Sequence, residues 1–304
     1  MESKFIAQAY SGDSSIWKYV LGIVLVTLGA LVFSLPYNLI IANKVYQGVA
    51  DAAKVEDLNY LYTLMDSNSS LFYMMLPFVG GLITLFLVVK KIHKQTLTSL
   101  TTSRVKIDYK RVFFSFFFWA SMVLILFFVG YLINPQEIVW NFNAKNFAIL
   151  FLLSIVLIPI QTSLEEYVFR GYLMQALGVS SKTKWFPLLV TSVIFGLLHY
   201  ANPEVKELGY GIMVFYIGTG LLLGVMTLMD DGMELSLGFH AANNLITALL
   251  VTADWTAFQT AAIFKDISSP SLMMELVAMA VLYPFLIFVL SKKYKWSHWK
   301  EKLI

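Results

Sequence analysis

The chain has 304 residues, of which 58% are hydrophobic and only 13% charged, with a mean hydropathy of +0.71. A soluble domain carries about 25% charged residues, so this composition excludes an ordinary water-soluble globule and indicates an all-α, polytopic membrane protein. The net charge of +3 gives no reason to invoke nucleic acid, and the absence of cysteine excludes disulfides, thiol catalysis and Cys-ligated metals.

A hydrocarbon core of about 30 Å asks for about 20 apolar residues per helix, and eight such runs are predicted along the chain. The first, near 17–42, follows a leader with few basic groups and lacks a small-residue cleavage pattern, so it is predicted to be a retained span. The second and third, near 70–89 and 112–133, carry almost nothing ionisable and read as scaffold. Between them lies a basic linker in which His93 is expected to be solvated, as is His298 in the C-terminal tail. The fourth run, 147–177, exceeds one perpendicular crossing, and Pro159 inside it predicts a kink. Runs near 185–201, 208–229, 234–251 and 272–290 complete the set. In the sixth, Gly220 and Gly224 stand in small-xxx-small spacing, which predicts close helix packing. Trp17, Trp185, Trp255 and Trp296 fall near span ends, where aromatic rings favour the headgroup region. The polar stretches 43–69 and 90–111 are too short for independent cores, so residues 1–304 read as one integral membrane domain.

Cytoplasmic loops are enriched in Lys and Arg. With eight spans and the N-terminus inside, the linker after the second span, Lys182, Lys184 and the tail all fall on the cytoplasmic side, which then holds 17 of the 22 basic residues. An odd number of spans separates the two basic clusters, so both termini are predicted to be cytoplasmic, with the plasma membrane as the expected location.

Ionisable groups within spans cost at least ~2.5–3.5 kcal/mol near a helix centre, and they concentrate between residues 147 and 251. In SLEEYVFRGYL, Glu166 and Arg170 are i and i+4 and can pair on one helix face, whereas Glu165 is rotated away and lacks a local counter-charge. Such a carboxylate suits a general base. Phe195-x-x-x-His199 and His240-x-x-x-Asn244 each place two groups one turn apart on later spans. Singly, each element also reads as packing: Glu166–Arg170 as a structural ion pair, Asn243 and Asn244 as interhelical hydrogen bonds, Phe195 as core. Together, a spare Glu, two His and an Asn on three spans point to a shared site.

The ordered triple Glu165-Glu166-x-x-x-Arg170, Phe195-x-x-x-His199 and His240-x-x-x-Asn244, with EEYVFRGYL and SVIFGLLH around it, resembles the CPBP family of CAAX proteases and bacteriocin-processing proteins, whose eukaryotic members are the Ras-converting CAAX endopeptidases. The resemblance spans about 160–248 and implies an intramembrane endopeptidase of about eight helices. It divides the chain into scaffold helices (1–145), a catalytic helix core (146–251), and a last helix with a basic tail (252–304). It further implies that Glu165 and His199 activate a water, that His240 and Asn244 stabilise the oxyanion, and that Glu166 with Arg170, and Phe195, are supporting. The cavity is expected to open toward the cytoplasmic leaflet and to admit a membrane-associated peptide or protein from the lipid bilayer. No cofactor is expected. A zinc-dependent version stays open, with Glu165, His199 and His240 as the ligand types, although the His-Glu-x-x-His helix of common zinc proteases is absent. Two further alternatives are a silent scaffold or immunity-type factor and a proton-coupled transporter.

Overall fold

The computed structural model describes residues 3–304. Thirteen α-helices follow one another: α1 Ile16–Tyr46, α2 Leu58–Thr63, α3 Ser67–Leu87, α4 Leu97–Thr101, α5 Tyr109–Ile133, α6 Ala144–Glu166, α7 Met174–Ser181, α8 Trp185–Leu197, α9 Pro203–Leu208, α10 Met213–Asp230, α11 Glu234–Leu250, α12 Leu272–Tyr294 and α13 Trp299–Leu303. All eight predicted runs are helical. Six helical segments are long and apolar enough to cross a bilayer: Ile16–Tyr46, Ser67–Ile92, Tyr109–Ile133, Ala144–Ser181, Tyr210–Asp230 and Leu272–Tyr294. The other two runs form α8, of 13 residues, and α11, of 17. At about 1.5 Å per residue α8 reaches only about 20 Å. It stops at Leu197 rather than near 201, because Asn202 precedes Pro203 and is held extended (φ −68°, ψ 148°), a conformation the proline ring imposes.

The connections sort into two ends. At one end the N-terminal segment, the 88–108 linker, the α7–α8 and α10–α11 turns and the tail lock together. Arg104 binds Asp230 (2.9 Å) and Glu234 (3.1 Å), Arg111 binds Asp230 (2.6 Å), and Lys302 binds Asp231 (2.7 Å). Glu234 is fully buried at the α11 N-terminus, where unpaired backbone N–H groups favour a negative charge. The linker is therefore structured. His93, expected to be solvated, is 1% exposed: its Nδ1 donates to the Asp13 carbonyl (2.6 Å) and its Nε2 lies 2.7 Å from the Tyr172 hydroxyl. The chain after α3 folds back beneath α7, where Gln95 also donates to Gln175 at 2.9 Å. His298, by contrast, is exposed as expected.

At the opposite end a small sheet pairs strand β3, Phe264–Asp266, antiparallel with β1, Ile138–Trp140, and parallel with β2, Val251–Thr252. Tyr62 donates to the Ala257 carbonyl at 2.6 Å, and Lys206 binds Asp57 at 3.1 Å, tying the α1–α3 connection to this end. Between the ends, one buried cluster joins Leu100, Tyr172, Met174, Leu228 and Met233, and another packs Trp119 with Leu223, Met226 and Phe239. The glycine reading holds at Gly220: an added Cβ would stand 2.9 Å from the Ser192 Cα and carbonyl oxygen, so α10 approaches the α8 backbone at this point.

Candidate active site

The site begins on α6. Gln161 and Glu165 lie one turn apart, and the Gln161 amide donates to Glu165 Oε1 at 2.6 Å. Glu166 turns away and is fully buried, as is Arg170. Directly after Glu166 the backbone widens into a π-helical stretch, Tyr167–Leu173, a departure from the uniform α-helix used to place Arg170 from sequence. The pair still meets. Arg170 Nη1 lies 3.1 Å from Glu166 Oε1, Nη2 donates to the Gly220 carbonyl at 3.1 Å, and the guanidinium stacks 4.3 Å from the centre of the Phe195 ring.

His240, delivered by α11, is only 5% exposed and bridges the two carboxylates. Its Nδ1 is 2.8 Å from Glu166 Oε1 and its Nε2 is 3.5 Å from Glu165 Oε2. Glu165 thus has an imidazole neighbour that its own helix did not show, although its Oε2 is buried without a hydrogen bond. That neighbour comes from a helix about 75 positions downstream, beyond any local reading. Carboxylate oxygens accept hydrogen bonds, so both His240 nitrogens face acceptors.

His199 lies in the turn after α8. Its Nδ1 is 2.8 Å from the Phe195 carbonyl, an acceptor only, so Nδ1 carries the proton and caps the helix end. The Nε2 lone pair is left for the cavity. Tyr216 stacks on the ring at 4.4 Å, and Phe195 packs against both His199 (4.8 Å) and His240 (6.0 Å). On α11, Asn244 Nδ2 donates to Gln161 Oε1 (3.0 Å), Asn243 Nδ2 donates to Asn244 Oδ1 (3.1 Å), and Trp119 Nε1 donates to Asn243 Oδ1 (3.1 Å). A line of amides therefore runs from α5 to Glu165. Gln161 was legible in the sequence as the residue four before Glu165. Trp119 and Tyr216 carry no local signal, since their partners are distant in sequence.

A cavity of about 1000 Å³ exposes Glu165, His199, Phe195, Gln161 and Asn244 on its wall. His240, Glu166 and Arg170 are absent from that wall and stand behind Glu165. The early helices are more than scaffold, because Met74, Met75 and Phe78 of α3 and Trp119 and Val123 of α5 line the same space. The cavity lies toward one end of the bundle. Its lining comes from the end of the bundle that holds Leu58, Glu204, Trp255 and Asp266, opposite the basic linker. Toward the basic end it is closed by the fully buried Leu100, Met233 and Met174.

Among the described residues no group of three His, Asp or Glu side chains is arranged to hold a metal ion. The trio Glu165, His199 and His240 is split by Phe195, which packs against both imidazoles, and both His240 nitrogens already face carboxylates.

Residues 144–246 match a family model described as Rce1-like, type II CAAX prenyl endopeptidase. All three motifs lie inside that match. A Bacillus subtilis (strain 168) protein named "Uncharacterized protein YyaK" is 28% identical over 248 residues, covering 79% of this chain and 80% of the relative. No solved structure matches the chain.

Proposed function

We propose that this chain, whose residues 144–246 form an Rce1-like domain, is a membrane-embedded endopeptidase that hydrolyses a peptide bond of a membrane-associated polypeptide with a water activated by Glu165 and His199. The observation that carries the reading is that these two side chains share one cavity wall while three other polar groups fix their states. Gln161 holds one Glu165 oxygen at 2.6 Å, His240 faces the other at 3.5 Å, and the Phe195 carbonyl fixes the His199 tautomer at 2.8 Å. The charge distribution supports a membrane protein with both termini on the cytoplasmic side.

Glu165 takes a proton from water as the oxygen attacks the scissile carbonyl carbon, and the carbonyl π electrons move to its oxygen. His199 Nε2 accepts a hydrogen bond from the same water and aligns it. The oxyanion is stabilised by the Asn244 amide, which keeps one hydrogen beyond its bond to Gln161, and by His240. His240 stands behind Glu165 and off the cavity wall, so its part is played through the carboxylates it touches rather than by a direct bond within the cavity. Collapse breaks the C–N bond, the leaving nitrogen takes the proton from Glu165, and the products are a carboxylate and an amine. Arg170 holds Glu166, and Glu166 holds His240.

Glu165→Gln keeps the size of the side chain and removes the base, so cleavage falls by about 10²–10⁴-fold. The measurement is a mass-spectrometric comparison of peptide termini in membranes and medium from cells carrying wild-type or Glu165→Gln protein at equal abundance. Termini that persist at the wild-type rate in the variant sink the assignment.

A further inference from the structure

The row of polar side chains that ends on Glu165 has a direction, and that direction is set from both ends. The Trp119 indole nitrogen can only donate and an ionised carboxylate can only accept, while each carboxamide between them offers one end of each kind. Trp119 Nε1 donates to Asn243 Oδ1 (3.1 Å), Asn243 Nδ2 to Asn244 Oδ1 (3.1 Å), Asn244 Nδ2 to Gln161 Oε1 (3.0 Å) and Gln161 Nε2 to Glu165 Oε1 (2.6 Å). Hydrogens therefore point toward Glu165 at every link, and Asn244 keeps its second hydrogen for the cavity whose wall it shares with Glu165. The indole is held in place by its surroundings. Trp119 is 5% exposed, and its ring lies 4.4 Å from that of Phe239, one turn before Asn243 on α11. One turn earlier on α5, Ser115 donates to the Leu235 carbonyl at 2.7 Å, and a Cβ on Gly238 would collide with the Val112 carbonyl, so α5 and α11 are locked in one register.

The two ends do not hold the direction at the same time. While Glu165 is ionised, it alone requires an N–H of Gln161 to face it. In the proposed reaction Glu165 carries the proton of the attacking water from the addition step until the leaving nitrogen takes it, and a protonated carboxyl can donate as well as accept. In that interval Glu165 no longer forbids a turn of the Gln161 amide that offers Oε1 to the carboxyl proton. Such a turn would engage the proton meant for the leaving nitrogen, and it would carry Asn244 with it, bringing an oxygen instead of an N–H to the oxyanion. Trp119 is the end that still forbids the reversal, because turning Asn243 sets its NH2 group against the indole N–H. We propose that Trp119 and Asn243 are positioning residues for the Glu165-dependent cleavage, holding Gln161 and Asn244 in the donating orientation while Glu165 is protonated. This rests on the endopeptidase reading and extends it by giving α5 a part in the chemistry. Because the effect is confined to the steps after binding, it falls on kcat and leaves KM in place.

The probe is a reporter polypeptide carrying the sequence around a Glu165-dependent terminus, incubated with the purified full-length protein in lipid vesicles. Trp119→Phe keeps an aromatic ring against Phe239 and removes the N–H, and Asn243→Leu keeps the size of the side chain and breaks the row. Each is expected to lower kcat by about 3–10-fold, the worth of one hydrogen bond, with KM unchanged. In an Asn244→Leu background the row is already cut before Gln161, so either change is expected to add less than about twofold. Equal losses in the two backgrounds, or a loss that falls on KM with kcat unchanged, overturn the proposal. A second measurement needs no cleavage. With seven tryptophans in the chain, the indole N–H signals of isotope-labelled protein in detergent can be separated by nuclear magnetic resonance, and the one missing from Trp119→Phe belongs to Trp119. That signal is expected to shift in Asn243→Leu, and an unmoved signal overturns the proposal. If no Glu165-dependent termini exist, the endopeptidase reading fails and takes the positioning role with it, whereas equal losses beside normal Glu165-dependent cleavage end the positioning role alone.

Discussion

Replacing Arg170 with methionine tests the buried cluster that holds the site. In the native protein both Arg170 and Glu166 are fully buried, the guanidinium donates to Glu166 and to the Gly220 carbonyl at 3.1 Å each, and it covers the Phe195 ring. Met fills a similar volume without donors. The variant leaves the Gly220 carbonyl bare and Glu166 with a single partner, His240 at 2.8 Å. Breaking a buried pair by removing one member costs about 3–5 kcal/mol, because the other charge stays uncompensated. With His240 still present, the lower end, about 3 kcal/mol, is expected. Neutralising the stranded carboxylate as well, in Arg170→Met/Glu166→Gln, is expected to restore at least ~1 kcal/mol, giving a coupling energy inside the ~0.5–3 kcal/mol range of contacting residues. The assay is equilibrium unfolding of the purified proteins in one fixed detergent. A single-variant loss below about 1 kcal/mol, or a double variant equal to the sum of the singles, refutes the ion-pair account.

Three further outcomes follow from particular contacts. Gly220→Ala forces a methyl to within 2.9 Å of the Ser192 backbone, so it is expected to destabilise by ~1–3 kcal/mol and, by shifting the Gly220 carbonyl off Arg170, to reduce cleavage as well; unfolding and turnover measured together check this. Burial of the Glu204 carboxyl, opposed by the Ala257 amide, pushes its pKa above the usual value near 4.3. Its contribution to stability is therefore fully present below about pH 4.3 and is lost as pH rises through the higher folded value, so Glu204→Gln flattens the acid-side slope of a melting-temperature profile between pH 4 and 7; an unchanged slope rejects the assignment. Prolonged chelation of the purified protein, with metal content measured alongside, is expected to leave Glu165-dependent cleavage unchanged, and loss that zinc restores overturns the proposed roles of Glu165 and His199.

The all-α membrane class, the helical runs, the Glu166–Arg170 pairing and the candidate residues were readable from the sequence because each depends on short-range regularities. Apolar runs of bilayer length report helices, and a four-residue spacing puts two side chains on one face. Gln161 could have been found by the same rule applied four residues before Glu165. What lay beyond that rule was decided by packing between distant helices. His240 reaches back to both Glu165 and Glu166, Trp119 reaches the amide line through Asn243, and His199 belongs to a turn that caps α8 rather than to the helix itself. His93 is buried because the basic linker folds under α7. The direction of the cavity was likewise invisible, because charge counts assign sides to loops but say nothing of where along the bundle the helices separate. That is set by how short α8 is, by the closure of the basic end around Leu100 and Met233, and by the loops that border the opposite mouth. Local spacing fixes which residues can share a helix face, and only the three-dimensional contacts between helices fix which faces meet and at which end of the bundle the cavity forms.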